Sequence, residues 1–369
     1  MSKKKSQPTN KPSRRNSSDF ITFLLFLTLI AIVIYLYQHP KPVQNFIQKN
    51  NPVVQNWASQ TADKTKTIAQ TGLKKTKELY LRFTKQTPPP DSVKTLPSPV
   101  AESKPVKIKM GDKSDITISS FNIRIFSNKS RTDEELQFIA QILKHYDLIA
   151  IQELRDETVL KRTIRLLKSM GYEYDYEISP AVGRQVKENY AFLYRKDKIT
   201  VKQKGQLYVE KDDLLIREPF YAWFQSNNFD FILVTTHLLY GENAAHRRPE
   251  IIAMAKVYNY IQTQYPHESD VILLGDFNLE PTDDGWDALK RLPTMTYLIK
   301  PPEKTTITDT SLYDNFWFQR SYVREYIGQS GVIRFDENIF QNNDHQAKLA
   351  VSDHRPIWAR FSVSMADDD

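Results

Sequence analysis

One uninterrupted apolar run stands apart from the rest of the chain. Phe20 to Tyr37 (FITFLLFLTLIAIVIYLY) holds 18 residues without a charge. At about 1.5 Å per residue, that length crosses a hydrocarbon core of about 30 Å. A cleavable signal peptide has a shorter apolar region and a small-x-small cleavage site, which the following YQHPKP does not supply. The pattern therefore predicts an uncleaved membrane anchor. Residues 1–19 before it carry six Lys/Arg against one Asp, and after it Lys41 and Lys49 are the first basic residues. By the positive-inside rule the N-terminus stays in the cytoplasm and everything beyond Tyr37 is exported.

Beyond the anchor the apolar positions thin out. Val54, Trp57, Ile68, Leu73, Leu79 and Leu81 are scattered over a Pro-free stretch, 53–86, whose hydrophobic stripe is too weak for a packed domain. It reads as a solvated, partly helical stalk. TPPPDSVKTLPSPVAESKP then reads as an extended spacer, so 38–113 is a tether. From Asp115 onward the texture changes. Short β-rich runs (DITISSFNI, DLIAIQEL, AFLYR, FDFILVTTHL, DVILLGDF, YDNFWF, PIWARFSV) alternate with helix-period segments (DEELQFIAQILKHY, ETVLKRTIRLLKSM, PEIIAMAKVYNYIQTQ). Several of the strands are apolar on both faces and must be covered on both sides. Residues 114–363 thus make one large α/β domain, followed by an acidic tail at 364–369.

Charge divides along the same boundary. Of 51 Lys+Arg and 44 Asp+Glu, residues 1–113 hold 20 and 6, leaving 31 and 38 for 114–369; the net +7 is +14 on the first part and −7 on the second. The basic balance belongs to the tail and tether, which could lie against anionic lipid headgroups or nucleic acid or stay solvated. A general basic DNA-binding face on the globular part is not supported. Zero Cys excludes disulfides, a thiol nucleophile and Cys-ligated metal.

The apolar runs of the domain end in polar residues of a restricted kind. They close on Asn122, Glu153, His237, Asp276 with Asn278, Asp314, and Asp353 with His354, and Gly275 permits a tight turn before Asp276. Each residue singly could be a strand meeting water or a core histidine. As a set, the oxygens of Glu153, Asp276, Asn278, Asn122 and Asp353 suit a hard divalent cation, Mg²⁺ or Mn²⁺. His237 and His354 can then act as general base and general acid on a phosphate ester, provided a carboxylate orients each ring.

SFNIR, IAIQELRD, TTHL, LLGDFN and SDHRP resemble the endonuclease/exonuclease/phosphatase superfamily, and QELRD, SPAVGRQVKENYAFLYR, IREP and TTITDTSLYD resemble its deoxyribonuclease I-like members. The resemblance spans 115–363 and leaves out anchor and tether. It implies a four-layer sandwich of two packed mixed β-sheets flanked by helices. It implies Glu153 as the main metal carboxylate with Asn122, and Asp353 completing the cluster. His237 would pair with Glu188 and His354 with Asp314, while Asp276 and Asn278 hold the metal or the attacked phosphate. Arg155, Arg184 and Arg217 would contact DNA. Val186 stands where such enzymes carry a minor-groove tyrosine, and the motifs assign no structural Ca²⁺ site. The function expected is a membrane-anchored, exported, metal-dependent endonuclease acting on DNA. The alternative is a phosphatase or phosphodiesterase of lipid head groups or small phosphate esters on the same fold.

The topology is directly testable. A reporter fused after Asp369 should be active only outside the cytoplasm, and replacing the six basic residues of 1–19 by Gln should scramble that orientation. A fusion active only in the cytoplasm would refute the assignment.

Overall fold

The computed structural model describes residues 114–210 and 212–366. Residues 1–113, on which the expected basic tail, anchor and tether fall, lie outside them, as do 211 and 367–369. Among the described residues no helix is long and apolar enough to cross a membrane.

The described strands form two six-stranded sheets. The first contains β1 (Asp115–Phe126), β2 (Leu148–Leu154), β3 (Tyr174–Ile178), β4 (Asn189–Arg195), β11 (Tyr326–Val332) and β12 (Ile357–Ser362), in the order β11-β12-β1-β2-β4-β3. The second contains β5 (Thr200–Leu207), β6 (Phe220–Ser226), β7 (Phe229–His237), β8 (Val271–Asp276), β9 (Met295–Tyr297) and β10 (Asp314–Gln319), in the order β5-β6-β7-β8-β10-β9. Both sheets are mixed: β1 runs parallel to β2 and β7 parallel to β8, with antiparallel neighbours around them. Three helices matter for the layers: α1 (Asp133–Leu143), α2 (Glu157–Ser169) and α3 (Ala244–Gln264).

Period-2 alternation sorts each strand between two apolar interfaces. Ile118, Leu148, Ala150 and Phe192 of the first sheet meet Phe220, Phe224, Leu233 and Leu274 of the second. The opposite face of the first sheet (Ile149, Ile151) packs on Leu136 and Ile139 of α1 and Leu160 and Leu167 of α2. The opposite face of the second (Ile232, Val234, Leu273) packs on Ile251, Met254 and Tyr258 of α3. The sequence of layers is helix, sheet, sheet, helix. This double coverage is why β7, β8 and β10 are buried along their whole length, and it agrees with the sandwich expected from the sequence.

Helix starts follow local chemistry. Thr132 and Glu135 close a reciprocal capping box on α1, and the Asp156 side chain accepts from the Val159 N–H at the start of α2. α3 begins at Ala244, ahead of the expected Pro249, because the Asn243 side chain caps it by accepting from the His246 N–H. Strands β3, β5, β6, β9 and β11 had not been singled out. β3, β5, β9 and β11 are edge strands, and β5 (TVKQKGQL) carries little apolar signal, whereas β6 (FYAWFQS) is an apolar interior strand that the run-by-run reading passes over.

Phe192 links the two sheets, stacked on Phe220 (centroids 5.1 Å) and edge-on to Phe224 (5.4 Å). Phe192→Ala should lower the unfolding free energy by about 3–5 kcal/mol in denaturant titration, through loss of aromatic volume that the two β-layers cannot close over.

Candidate active site

The alternation that builds the inner interface also decides what stands at its end. On β7 the inward residues Phe231 and Leu233 are continued by Thr235 and His237, on β8 Ile272 and Leu274 by Asp276, and on β10 Phe318 and Phe316 lead back to Asp314. Register places His237 beside Asp276 and Asp276 beside Asp314. Gly275 makes the approach possible: its φ is +145°, and a Cβ there would sit 2.1 Å from the Thr236 carbonyl oxygen. From the first sheet, β1 contributes Asn122 on the same inward parity as Ile116 and Ile118.

Each imidazole is held by its own carboxylate. His237 Nδ1 lies 2.7 Å from Glu188 Oε1, and His354 Nδ1 lies 2.8 Å from Asp314 Oδ2. The opposite ring atoms converge: His237 Nε2 is 3.7 Å and His354 Nε2 3.5 Å from the same Asp276 oxygen, Oδ2. Burial opposes charge on the His237 ring, but the Glu188 carboxylate, with Asp276 behind it, outweighs burial and raises the pKa. The His354 ring is pushed up to about 10, with burial again opposing and the Asp314 and Asp276 charges prevailing. Burial alone would raise the Glu188 carboxyl; His237, Arg217 and Arg155 overcome it and hold it below the usual range. Arg217 Nε stands 3.2 Å from Glu188 Oε1, and its Nη1 donates to the His237 carbonyl at 3.1 Å.

Glu153 reaches the cluster by an irregularity. Strict alternation would put it on the face of Ile149 and Ile151, toward the helices. Instead it takes φ +59°, and the β1–β2 and β2–β4 registers both shift next to it. Such bulges re-aim side chains. Its Oε2 accepts from the Ile125 N–H at 2.9 Å, and Asn122 Nδ2 donates to Glu153 Oε1 at 3.3 Å and to Asp276 Oδ2 at 3.0 Å. Asn122 Oδ1 and Asp314 Oδ1 are buried acceptors without a partner. Unpartnered oxygens among carboxylates are what a hard divalent cation satisfies, so these residues fit such an ion. A second set of donors close enough to share an ion is Asp276, Asp314 and His354, whose ligand atoms lie within 4.8 Å of one another.

The other expected site residues differ in how they meet this centre. Asp353 lines the cleft but pairs with Lys348 at 2.8 Å. Arg184 is exposed and donates to the Asp213 carbonyl at 2.8 Å, with the Asp213 carboxylate 3.3 Å away. Arg155 bridges the two halves, 3.4 Å from Glu153 Oε2 and 3.7 Å from Glu188 Oε2. Asn278, at φ +53°, anchors its side chain on the Leu238 carbonyl and donates its N–H to Asp276 Oδ1 at 3.0 Å. Val186 is exposed. The cleft over the cluster encloses about 490 Å³ and is also lined by Arg124, Tyr240, Thr308, Thr310 and Tyr313, which sequence reading had not singled out. Arg124 closes SFNIR on β1, and Thr308, Thr310 and Tyr313 lie within TTITDTSLYD, so the motifs contain them without assigning them a role, while Tyr240 lies outside every motif.

Fold and site together define a class. A model of the endonuclease/exonuclease/phosphatase family matches residues 119–327, and the chain belongs to that family. Within the family it is deoxyribonuclease I-like. It is 29% identical over 272 residues to a deoxyribonuclease of Thioalkalivibrio, covering 69% of this chain and 73% of the relative. It is 31% identical over 266 residues to deoxyribonuclease-1 of Gallus gallus (66% and 90%). Against deoxyribonuclease gamma of Homo sapiens the identity is 27% over 270 residues (68% and 87%).

Two measurements test the geometry. Gly275→Ala should cost at least about 2 kcal/mol in denaturant unfolding, because the added Cβ must push β8 off β7. In chelator, the His354–Asp314 pair should give pH-dependent stability. The folded pKa of about 10 lies above the unfolded 6.5. The imidazole's contribution is therefore present below pH 6.5 for as long as the Asp314 carboxyl, itself raised by burial, stays ionised, and it is lost as pH rises to 10. Melting temperature should fall across that window, and less so in His354→Asn.

Proposed function

We propose that the chain is a divalent-metal-dependent endonuclease that hydrolyses DNA phosphodiester bonds, with residues 20–37 anchoring it in a membrane and the catalytic domain exported on its tether. The observation that carries the reading is the pair of buried imidazole–carboxylate couples whose Nε2 atoms face one oxygen of Asp276. The names of the deoxyribonuclease relatives supply the substrate class.

The chemistry follows from the free ring atoms. With Nδ1 of each imidazole engaged by Glu188 or Asp314, Nε2 is the atom left to exchange a proton at the cleft. One Nε2 takes a proton from water as its oxygen bonds to phosphorus. The other delivers a proton to the sugar oxygen as its bond to phosphorus breaks. Glu188 and Asp314 fix the ring orientation and stabilise each imidazolium. Glu153 and Asn122, with Asp276, would hold the cation, which when bound supplies Lewis-acid polarisation of a phosphoryl oxygen. Asp353 lines the same cleft and would release Lys348 to join them. Asn278 holds the Asp276 carboxylate in place through its N–H. Arg155, Arg217 and, once freed from Asp213, Arg184 neutralise the phosphate backbone. Such contacts position a strand without reading its bases.

His237→Ala and His354→Ala should each lower turnover on DNA by about 10²-fold or more, about 2.7 kcal/mol of barrier. The double variant should lose less than the product of the two. Glu188→Gln and Asp314→Asn should mimic their partners, whereas Glu153→Gln should raise the Mg²⁺ concentration needed for half-maximal rate. The deciding assay offers the full-length chain plasmid DNA, RNA and a phospholipid panel in parallel, with Mg²⁺ and with chelator. Release of phosphate from lipids without DNA cleavage would replace the nuclease reading by the phosphatase one.

A further inference from the structure

One feature of the cleft takes no part in the chemistry above. Tyr240 lies three residues beyond His237, so their Cα atoms are within about 11 Å. It lines the cleft yet is 60% exposed. The Arg247 guanidinium covers one face of its ring at 4.5 Å from the centroid. Tyr313, the neighbour of Asp314, meets it edge-on with centroids 6.4 Å apart and planes at 74°.

Arg247 is built into this arrangement. Its Nη1 donates to the Asn278 carbonyl at 2.7 Å and to the Tyr313 hydroxyl at 3.0 Å, and its Cζ also stands 5.5 Å from the Tyr313 ring centroid. Among the described residues it has no carboxylate partner, and its Nε is buried without a hydrogen bond. The charge is therefore spent on two aromatic rings and neutral oxygens, which is the geometry of a cation–π clamp. Behind Tyr240, Gly241 at φ +57° turns the chain so closely that a Cβ would meet the His246 Cβ at 3.0 Å. The ring is thus backed by a cation, met at a steep angle by Tyr313 and fixed by a tight turn, and it lines the cleft with 60% of its surface still exposed.

We propose that Tyr240, clamped by Arg247 and Tyr313, is a stacking platform for an unpaired nucleobase flanking the phosphate that is cut. The proposal rests on the nuclease reading and deepens it by naming the substrate form. A ring face recognises another ring face, and a base inside a duplex has both of its faces covered by its neighbours. Only a base of a single strand, a frayed end or a gap can be offered to Tyr240 without unstacking. The uncompensated Arg247 charge sits where it also attracts the adjoining backbone. Stacking of this type is tolerant of sequence, so the platform sets strandedness and leaves base identity open.

The test compares one oligonucleotide sequence, single-stranded and duplex, with full-length protein and Mg²⁺. Tyr240→Ala should lower the single-strand to duplex ratio of kcat/KM about tenfold, mainly through KM on the single strand, and Tyr240→Phe should restore the ratio. An unchanged ratio, or an equal loss on both substrates, would overturn the platform. Binding of a 2-aminopurine-labelled single strand in chelator reads stacking without cleavage: the wild type and Tyr240→Phe should quench the fluorophore and Tyr240→Ala should not. Quenching that survives in Tyr240→Ala overturns the proposal. Quenching lost in Tyr240→Ala, in a wild type that cuts no DNA, would uphold the platform and sink the nuclease reading alone.

Discussion

One carboxylate oxygen organises this site. Asp276 Oδ2 accepts from Asn122 Nδ2 and faces both imidazole Nε2 atoms at under 4 Å. Burying a charge is costly unless its surroundings compensate it. Here the compensation comes from both sheets, Asn122 on β1 and the histidine couples at the ends of β7 and before β12. The other oxygen is fixed by the Asn278 N–H. The two sheets must therefore pack in one register for the charge to be tolerated, and the same packing sets the distance between the two histidines.

The cluster is held from behind by a second buried ionic device. Arg355, the residue after His354, is 1% exposed and pairs through Nε with Asp336 Oδ1 at 2.9 Å, Asp336 being equally buried. Its N–H donates to the Thr305 carbonyl at 2.6 Å, and the Thr305 hydroxyl accepts from the N–H groups of Tyr313 and Asp314 at 3.0 and 3.1 Å. A buried pair of this kind contributes little net stability, because desolvation offsets attraction. Its consequence here is geometric: one connected network fixes the backbone on both sides of the His354–Asp314 couple. The SDHRP run thus holds a proton-transfer group and the residue that sets its position.

How much of this was legible in the chain depends on periodicity. Apolar pattern and polar ends are enough to read seven of the strands in kind, though not β6 (FYAWFQS), and parity alone places His237, Asp276 and Asp314 on the inner face. Glu153 is different: its place depends on a bulge and a positive φ that no pattern announces. Polar edge strands such as β5 carry too little apolar signal to be seen. The cleft wall at Tyr240, Arg247 and Tyr313 was missed because its members come from a loop, a helix and a strand entry, and their common site exists only after folding.

Composition and period, both local properties of the chain, mark strands that must be covered on both faces, the points where apolar runs stop, and the residue types that stand there. Packing is what brings two rings to one oxygen of Asp276, sets Arg155 between Glu153 and Glu188, engages Asp353 and Arg184 with Lys348 and Asp213, and puts a clamped tyrosine in the cleft wall. The reason is physical. Distances between side chains far apart in the chain are set by sheet register and by the interlocking of two sheets, and both are properties of the packed whole.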